Sequence, residues 1–176
     1  MLHRNGRPGM NSNLIRIVLV CLIYTFLFFY FTQLDYALRG DEPHFWQSSL
    51  HFSEMFIPSL ELLRSYTDMN TPLPFYMFGQ IHRITGAGPQ GGRLLNLLLS
   101  AIVVLVIALN TNKRSLYYSF VLLLFPYYWW TSISLYTDML CGFFVFVGLI
   151  AYRSGNTVWS LIMFTLAVAC RQYAIA

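Results

Sequence analysis

Long apolar runs constrain this chain more than any other feature of its sequence. The first covers residues 14–33, close to the roughly 20 apolar residues that a bilayer requires. Four more follow, over residues 93–110, 115–135, 139–152 and 157–176. Only 10% of the residues are charged, whereas soluble domains carry about 25%. We therefore predict an all-α fold, a multi-pass transmembrane helical bundle.

The two ends of the chain differ in character. Residues 1–13 are polar and basic, and they are predicted to form a disordered cytoplasmic tail. A signal peptide is the alternative, but the run that follows exceeds the usual apolar core of about 7–15 residues and no small-x-small cleavage site comes after it. We therefore favour an uncleaved signal anchor, with residues 14–176 as one transmembrane domain. Residues 173–176 end inside an apolar segment, so the domain is expected to be truncated.

The segment between the first two runs, residues 35–92, is predicted to be an outer loop with amphipathic helices that lie on the membrane surface. Pro58 is expected to divide these helices. Six of the seven acidic residues of the chain lie here: Asp35, Asp41, Glu42, Glu54, Glu61 and Asp68. Residues 72–85 begin with two prolines and are short for a span, which is typical of a re-entrant or juxtamembrane helix.

The topology depends on whether residues 72–85 cross the membrane. If they do not, the short inner loops hold Lys113, Arg114 and Arg153, as the positive-inside rule expects. If they do, these basic residues become external and Asp138 becomes internal. We favour the first arrangement, which places the acidic loop and Asp138 on the same aqueous side.

An acidic pair, Asp41 and Glu42, stands just after the first apolar run, where the cost of burying charge in hydrocarbon places it at the aqueous interface. Partial desolvation raises a carboxylate pKa, so one of the two could act as a base. Asp138 and Arg171 are predicted on the same side, and an arginine fork matches phosphate oxygens. The alternatives are a solvated loop for the pair, a helix cap for Asp138 and a snorkelling anchor for Arg171.

Other kinds of site are less well supported. The net charge is +4 with no basic stripe, which argues against nucleic-acid binding. His44 and His51 are seven residues apart and lie near acids, so a divalent metal is possible but not indicated, and no cofactor is expected. Neither a phosphate-binding glycine loop nor a GxSxG or HExxH motif occurs.

Several motifs together resemble a known family. They are Asp41-Glu42 with His44, Thr71-Pro72-Leu73-Pro74-Phe75-Tyr76, Arg93 with Asn96, Phe125-Pro126, Tyr136-Thr137-Asp138, Phe143-Phe144 and Arg171-Gln172. This set is similar to the GT-C superfamily of polyprenyl-phosphate-sugar-dependent glycosyltransferases. More specifically, it resembles the dolichyl-phosphate-glucose alpha-1,2-glucosyltransferase family. Phe75 departs from the glycine that is usual in that family. Members of that family are longer than this chain, so the resemblance covers only their N-terminal portion.

The resemblance implies an enzyme that transfers glucose, or another hexose, from a dolichyl- or polyprenyl-phosphate donor to a lipid-linked oligosaccharide, with inversion. Asp41 would be the general base, and Glu42 would orient the acceptor or polarise Asp41. Because the two carboxylates carry like charge and lie close together, the pKa of one of them is expected to be raised. The implied substrate-binding residues are His44, Tyr76, Asp138, Arg171 and Gln172.

The implied location is the endoplasmic reticulum membrane, among membrane lipids, with the active side facing the lumen. The alternatives are a bacterial GT-C enzyme for another sugar, facing the periplasm, and a non-enzymatic membrane protein such as a transporter fragment.

Overall fold

The computed structural model describes residues 10–33, 37–68, 70–110 and 114–171. Within these ranges the chain is all α-helical and contains no strand. The described helices are α1 (Met10–Gln33), α2 (Glu42–His51), α3 (Leu60–Ser65), α4 (Leu73–Thr85), α5 (Pro89–Ala108), α6 (Ser115–Leu124), α7 (Pro126–Ile133), α8 (Asp138–Arg153) and α9 (Thr157–Cys170). The helix α1 begins inside the stretch predicted as a tail. Residues 1–9, Asp35, Lys113 and Gln172 lie outside the described residues.

Two helices, α1 and α5, are long and apolar enough to cross a membrane. The pair α7 and α8 would supply a third span if it were counted as one, although its two helices meet at an angle of 110°. The predicted run 115–135 is not one helix, because α6 ends before Pro126 and α7 begins there. Proline lacks the amide hydrogen that would continue the helix, so the run is divided into two helices at this residue.

The helices α1 and α5 run antiparallel. At one end, Arg16 Nη1 donates to the carbonyl oxygen of Ala108 at 2.9 Å. Farther along, the hydroxyls of Tyr24 and Ser100 are 2.6 Å apart. The loop between the two helices therefore begins and ends at the same end of the bundle. The longest described helix in that loop, α4, has 13 residues, or about 20 Å, which is shorter than a bilayer core of about 30 Å.

The helices α6 and α7 return along α5. Ser115 Oγ donates to the carbonyl of Ala108 at 3.2 Å, and Asn96 Nδ2 donates to the carbonyl of Ser134 at 2.7 Å. The predicted span 115–135 thus accompanies α5 along most of its length, although it is broken. The last two helices, α8 and α9, form an antiparallel hairpin, because Arg171 after α9 pairs with Asp138 at the start of α8.

The outer loop contains short helices, as predicted, and Pro58 lies in the break between α2 and α3. Its helices α2 and α4 pack closely. Phe75 and Phe78 of α4 are buried against the aromatic side chains of α2 and the turn after it. Gln80 Nε2 donates to the carbonyls of Phe52 at 2.7 Å and Met55 at 2.9 Å, which fixes the chain beyond α2. The loop is therefore a folded unit that rests on α5.

The crossing of α2 and α4 leads to a prediction for Gly79. A Cβ at this position would collide with the backbone oxygen of Ser49 and lie 3.0 Å from the backbone of Phe52 and Ser53. Overpacking usually costs about 1–3 kcal/mol and more where the obstacle is backbone, so Gly79→Ala should lower the unfolding temperature in detergent. The matched control is Gly142→Ala, where a helical glycine has open space around its Cβ position. This change should be neutral or stabilising by up to about 1 kcal/mol. Equal effects of the two substitutions would contradict the close crossing.

Candidate functional site

A tight turn presents Asp41 at the start of α2. Gly40 adopts a φ of +58°, and the Glu42 amide donates to the Arg39 carbonyl at 3.1 Å, so the chain reverses just before the helix. A Cβ on Gly40 would come within 2.9 Å of the Tyr136 hydroxyl. Asp41 occupies the N-cap position, but its side chain does not accept a capping hydrogen bond. The carboxylate is therefore exposed and aimed away from its own helix.

Asp41 faces a cavity that also contains Asp138 and Arg171. The cavity measures about 770 Å³, and its walls include the phenol rings of Tyr127 and Tyr136. Arg171 Nη2 lies 2.7 Å from Asp138 Oδ2, and both side chains are largely buried. The three charged groups come from the turn before α2, the start of α8 and the end of α9. Three of the four residues predicted to share one aqueous side therefore line one cavity, and the side of the membrane on which this cavity lies stays a prediction.

The ion pair of Asp138 with Arg171 follows from local structure. Asp138 opens α8, where a negative charge is favoured by the helix dipole. Arg171 stands one residue after α9 in an extended conformation, with φ at −152°. Neither residue is only a helix cap or an interfacial anchor, since each has the other as its partner. The guanidinium nevertheless reaches the cavity wall, where it adds positive charge beside the Asp41 carboxylate.

Glu42 does not have the predicted role. Its side chain is 3% exposed and forms a two-pronged ion pair with Arg93 of α5, with Nη2 to Oε2 at 2.6 Å and Nε to Oε1 at 2.9 Å. The amides of Leu135 and Arg39 donate to the same carboxylate at 2.6 and 3.0 Å. Both oxygens are thus occupied, and Glu42 cannot orient an acceptor or polarise Asp41.

The pKa of Glu42 moves in the direction opposite to the one that a neighbouring like charge would give. We expected the like charge of the acidic pair to raise the pKa of one carboxyl. Burial does oppose ionisation of Glu42, but the hydrogen bonds from Arg93, Leu135 and Arg39 outweigh it, and the pKa of Glu42 is lowered. Glu42 is therefore a charged structural residue whose contacts hold α2, α5 and the turn before α8 together.

Two other predicted residues, His44 and Tyr76, do not line the Asp41 cavity. His44 lies in a neighbouring cavity, where its Nε2 is 2.7 Å from Asp68 Oδ2. Tyr76 donates its hydroxyl to the carbonyl of Phe56 at 2.8 Å, so it ties α4 to the loop after α2. Gln172 lies outside the described residues. His44 and Tyr76 thus fail to join Asp41, although His44 remains close to it along α2.

In the part of the chain that the structure describes, no group of three His, Cys, Asp or Glu side chains converges closely enough to hold a metal ion. His44 binds Asp68 rather than joining His51 around a common point. The Asp41 cavity contains two carboxylates and a guanidinium, groups that suit proton removal and anion binding.

Sequence reasoning missed the tyrosines of the cavity and the partner of Glu42. Tyr136 was predicted only as part of a motif and Tyr127 was not predicted, and only the fold brings both to the cavity that contains Asp41. The chain was also compared with known proteins, and no family model, curated protein or solved structure matches it.

Proposed function

We propose that this chain is a membrane glycosyltransferase of the GT-C type. It would transfer glucose or another hexose from a polyprenyl- or dolichyl-phosphate donor to a lipid-linked oligosaccharide. The observation that carries the proposal is the exposed Asp41 carboxylate in one cavity with the ion pair of Asp138 and Arg171. A base and a fixed cation across one cavity are what displacement of a phosphate from a sugar requires.

The reaction assigns one role to each group. Asp41 takes the proton of an acceptor hydroxyl, whose oxygen attacks the anomeric carbon on the side opposite the phosphate. The bond from that carbon to the phosphate oxygen breaks, so the configuration inverts and the polyprenyl phosphate leaves with the electron pair. Arg171 stabilises the negative charge on the leaving phosphate, while Asp138 holds the guanidinium in position and accepts from sugar hydroxyls.

Helix geometry supports a multi-pass arrangement with this cavity on the outer side. The antiparallel contact of Arg16 with Ala108 returns the chain to its starting side after α5. Arg16, Arg114 and Arg153 then lie at helix ends remote from Asp41, as the positive-inside rule expects for the cytoplasmic face. On this basis the active side faces the lumen of the endoplasmic reticulum, or the periplasm in a bacterial enzyme for another sugar.

A transporter is the alternative from another class. Such a protein is expected to hold ionisable groups near the middle of its spans. Among the described side chains, those of Arg93, Asp138 and Arg153 lie at or near the ends of α5 and α8. The position of these charges favours the enzyme over the transporter.

The experiment is a transfer assay on the full chain in liposomes. Radiolabelled dolichyl-phosphate glucose and dolichyl-phosphate mannose are supplied separately with a lipid-linked oligosaccharide acceptor, and protein-free liposomes are the control. We expect label to enter the acceptor from one of the two donors, with inverted anomeric configuration. Absence of label in the acceptor from both donors would overturn the proposal.

A further inference from the structure

A second cavity lies along α2, separate from the one that contains Asp41. It measures about 310 Å³ and opens between α2 and the segment that follows α3. His44, Ser48 and His51 line it from α2, while Leu62, Tyr66 and Asp68 line it from the facing segment. None of these residues takes part in the chemistry assigned to Asp41.

Asp68 organises the polar groups of this cavity. Its Oδ2 accepts from Ser48 Oγ at 3.1 Å and lies 2.7 Å from His44 Nε2, and its Oδ1 accepts from the Asn70 backbone and side chain at 2.9 and 3.1 Å. Burial opposes ionisation, but these hydrogen bonds and the nearby His44 imidazole outweigh it, so the pKa of Asp68 is lowered. The carboxylate is ionised at neutral pH and its oxygens are occupied.

The arrangement leaves defined groups for a ligand. An ionised carboxylate only accepts, so His44 Nε2 is a donor to Asp68, and Nδ1 is the ring nitrogen left for a ligand. The Ser48 hydroxyl gives its proton to Asp68, which leaves its lone pairs to accept. His51 adds a further imidazole from the end of α2, and Leu62 and Tyr66 supply an apolar wall. A ligand with several hydroxyl groups and one apolar face would match both kinds of surface.

The charges of the cavity narrow the class of ligand. Asp68 places a fixed negative charge in its wall, which disfavours phosphate and other anions. A metal cation would need at least three converging ligands, which the described residues do not provide. The donors and acceptors of the cavity match the hydroxyl groups of a neutral polyol. The position of the cavity also favours a sugar ligand, because Asp41 and His44 are three residues apart on one helical turn, with Cβ atoms about 5–6 Å apart. One oligosaccharide could therefore contact both cavities.

We propose that the cavity of His44, Ser48, His51 and Tyr66 is a carbohydrate subsite that holds a neutral sugar unit of the acceptor next to Asp41. As an acceptor subsite, this inference rests on the glycosyl transfer proposed above. His44 and His51 would accept or donate hydrogen bonds to sugar hydroxyls, and the Tyr66 ring would pack against the apolar face of the sugar. Asp68 is a positioning residue that fixes His44 and Ser48.

The test measures sugar binding without any transfer. Maltotriose and a mannose trisaccharide, both free of lipid and phosphate, are titrated separately into the purified full chain in detergent, and binding is followed by saturation-transfer difference NMR. His51→Ala removes an exposed imidazole at the end of α2. Gln47→Ala, on the same helix, is the matched control, because Gln47 is equally exposed but does not line the cavity.

We expect saturable binding of one trisaccharide, weakened about fivefold to tenfold by His51→Ala and unchanged by Gln47→Ala. The proposal would be overturned if neither sugar binds to the wild-type chain, or if His51→Ala binds as the wild type does. Such a result would leave the transfer reaction standing, since the NMR experiment contains no donor. Conversely, if no transfer occurs in liposomes, sugar binding that depends on His51 would still stand as a result.

Discussion

Glu42→Gln is expected to destabilise the protein by about 3–5 kcal/mol, although the substitution keeps the shape of the side chain. Four donors converge on the Glu42 carboxylate: two from Arg93, one from the Leu135 amide and one from the Arg39 amide. An amide group in place of the carboxylate would put its own donors against two of them. It would also leave the buried Arg93 charge without its ionised partner, and this loss is the larger part of the cost.

The reverse change, Arg93→Met, should have an effect of similar size, because it leaves the buried carboxylate without a cation. The double variant Glu42→Leu with Arg93→Met should be less destabilised than the sum of the two single changes. A nonpolar pair carries no unpaired charge, although the Leu135 and Arg39 amides still lose their acceptor. This non-additivity distinguishes a buried ion pair from two independent packing contacts.

Thermal unfolding in detergent, followed by circular dichroism, measures these effects. Glu54→Gln is the matched control, because Glu54 is an exposed carboxylate of the same loop and should change stability by no more than about 0.5 kcal/mol. If Glu42→Gln unfolds at the same temperature as Glu54→Gln, the structural role assigned to Glu42 is wrong. Activity cannot replace this measurement, since a collapsed turn would also displace Asp41.

The role of Glu42 shows what the sequence alone could not reveal. Asp41 and Glu42 are adjacent, both acidic and equally close to the first apolar run, so the local sequence gives no basis for assigning them different roles. Their difference comes from the helix that Glu42 opens, which turns one carboxylate inward to Arg93 and leaves the other outside. Arg93 is 51 residues away and Leu135 is 93 away, and no local pattern links such distant positions.

Longer-range arrangement was predictable where hydrophobicity determined it. The first and second apolar runs predicted α1 and α5 within a few residues, because length and polarity decide whether a helix can cross a membrane. Asp41, Asp138 and Arg171 do line one cavity, but the side of the membrane that was predicted for them by counting runs stays a prediction. The size of the 110° bend before α8 was not predictable, because the turn there is held by Asn96, which donates to the distant carbonyls of Ser134 and Tyr136.

Asp41→Asn is expected to lower transfer by about 10²–10⁴-fold while leaving stability unchanged. The asparagine amide cannot take the proton of an acceptor hydroxyl at neutral pH, so the base is lost. Folding should not suffer, because the Asp41 side chain is exposed and asparagine is as good an N-cap residue as aspartate. Initial rates with saturating donor, together with the unfolding temperature of the same preparation, measure both effects.

Comparison with the other acidic variants makes the role of Asp41 specific. Glu54→Gln, which removes an exposed negative charge from the same loop, should retain wild-type rates. Glu42→Gln should lose activity and stability together, whereas Asp41→Asn should lose activity alone. Asp41→Glu keeps a base but moves it by one methylene, so a rate between those of wild type and Asp41→Asn is expected. Wild-type turnover by Asp41→Asn would remove Asp41 as the base, and the cavity of Asp138 and Arg171 would then require another proton acceptor.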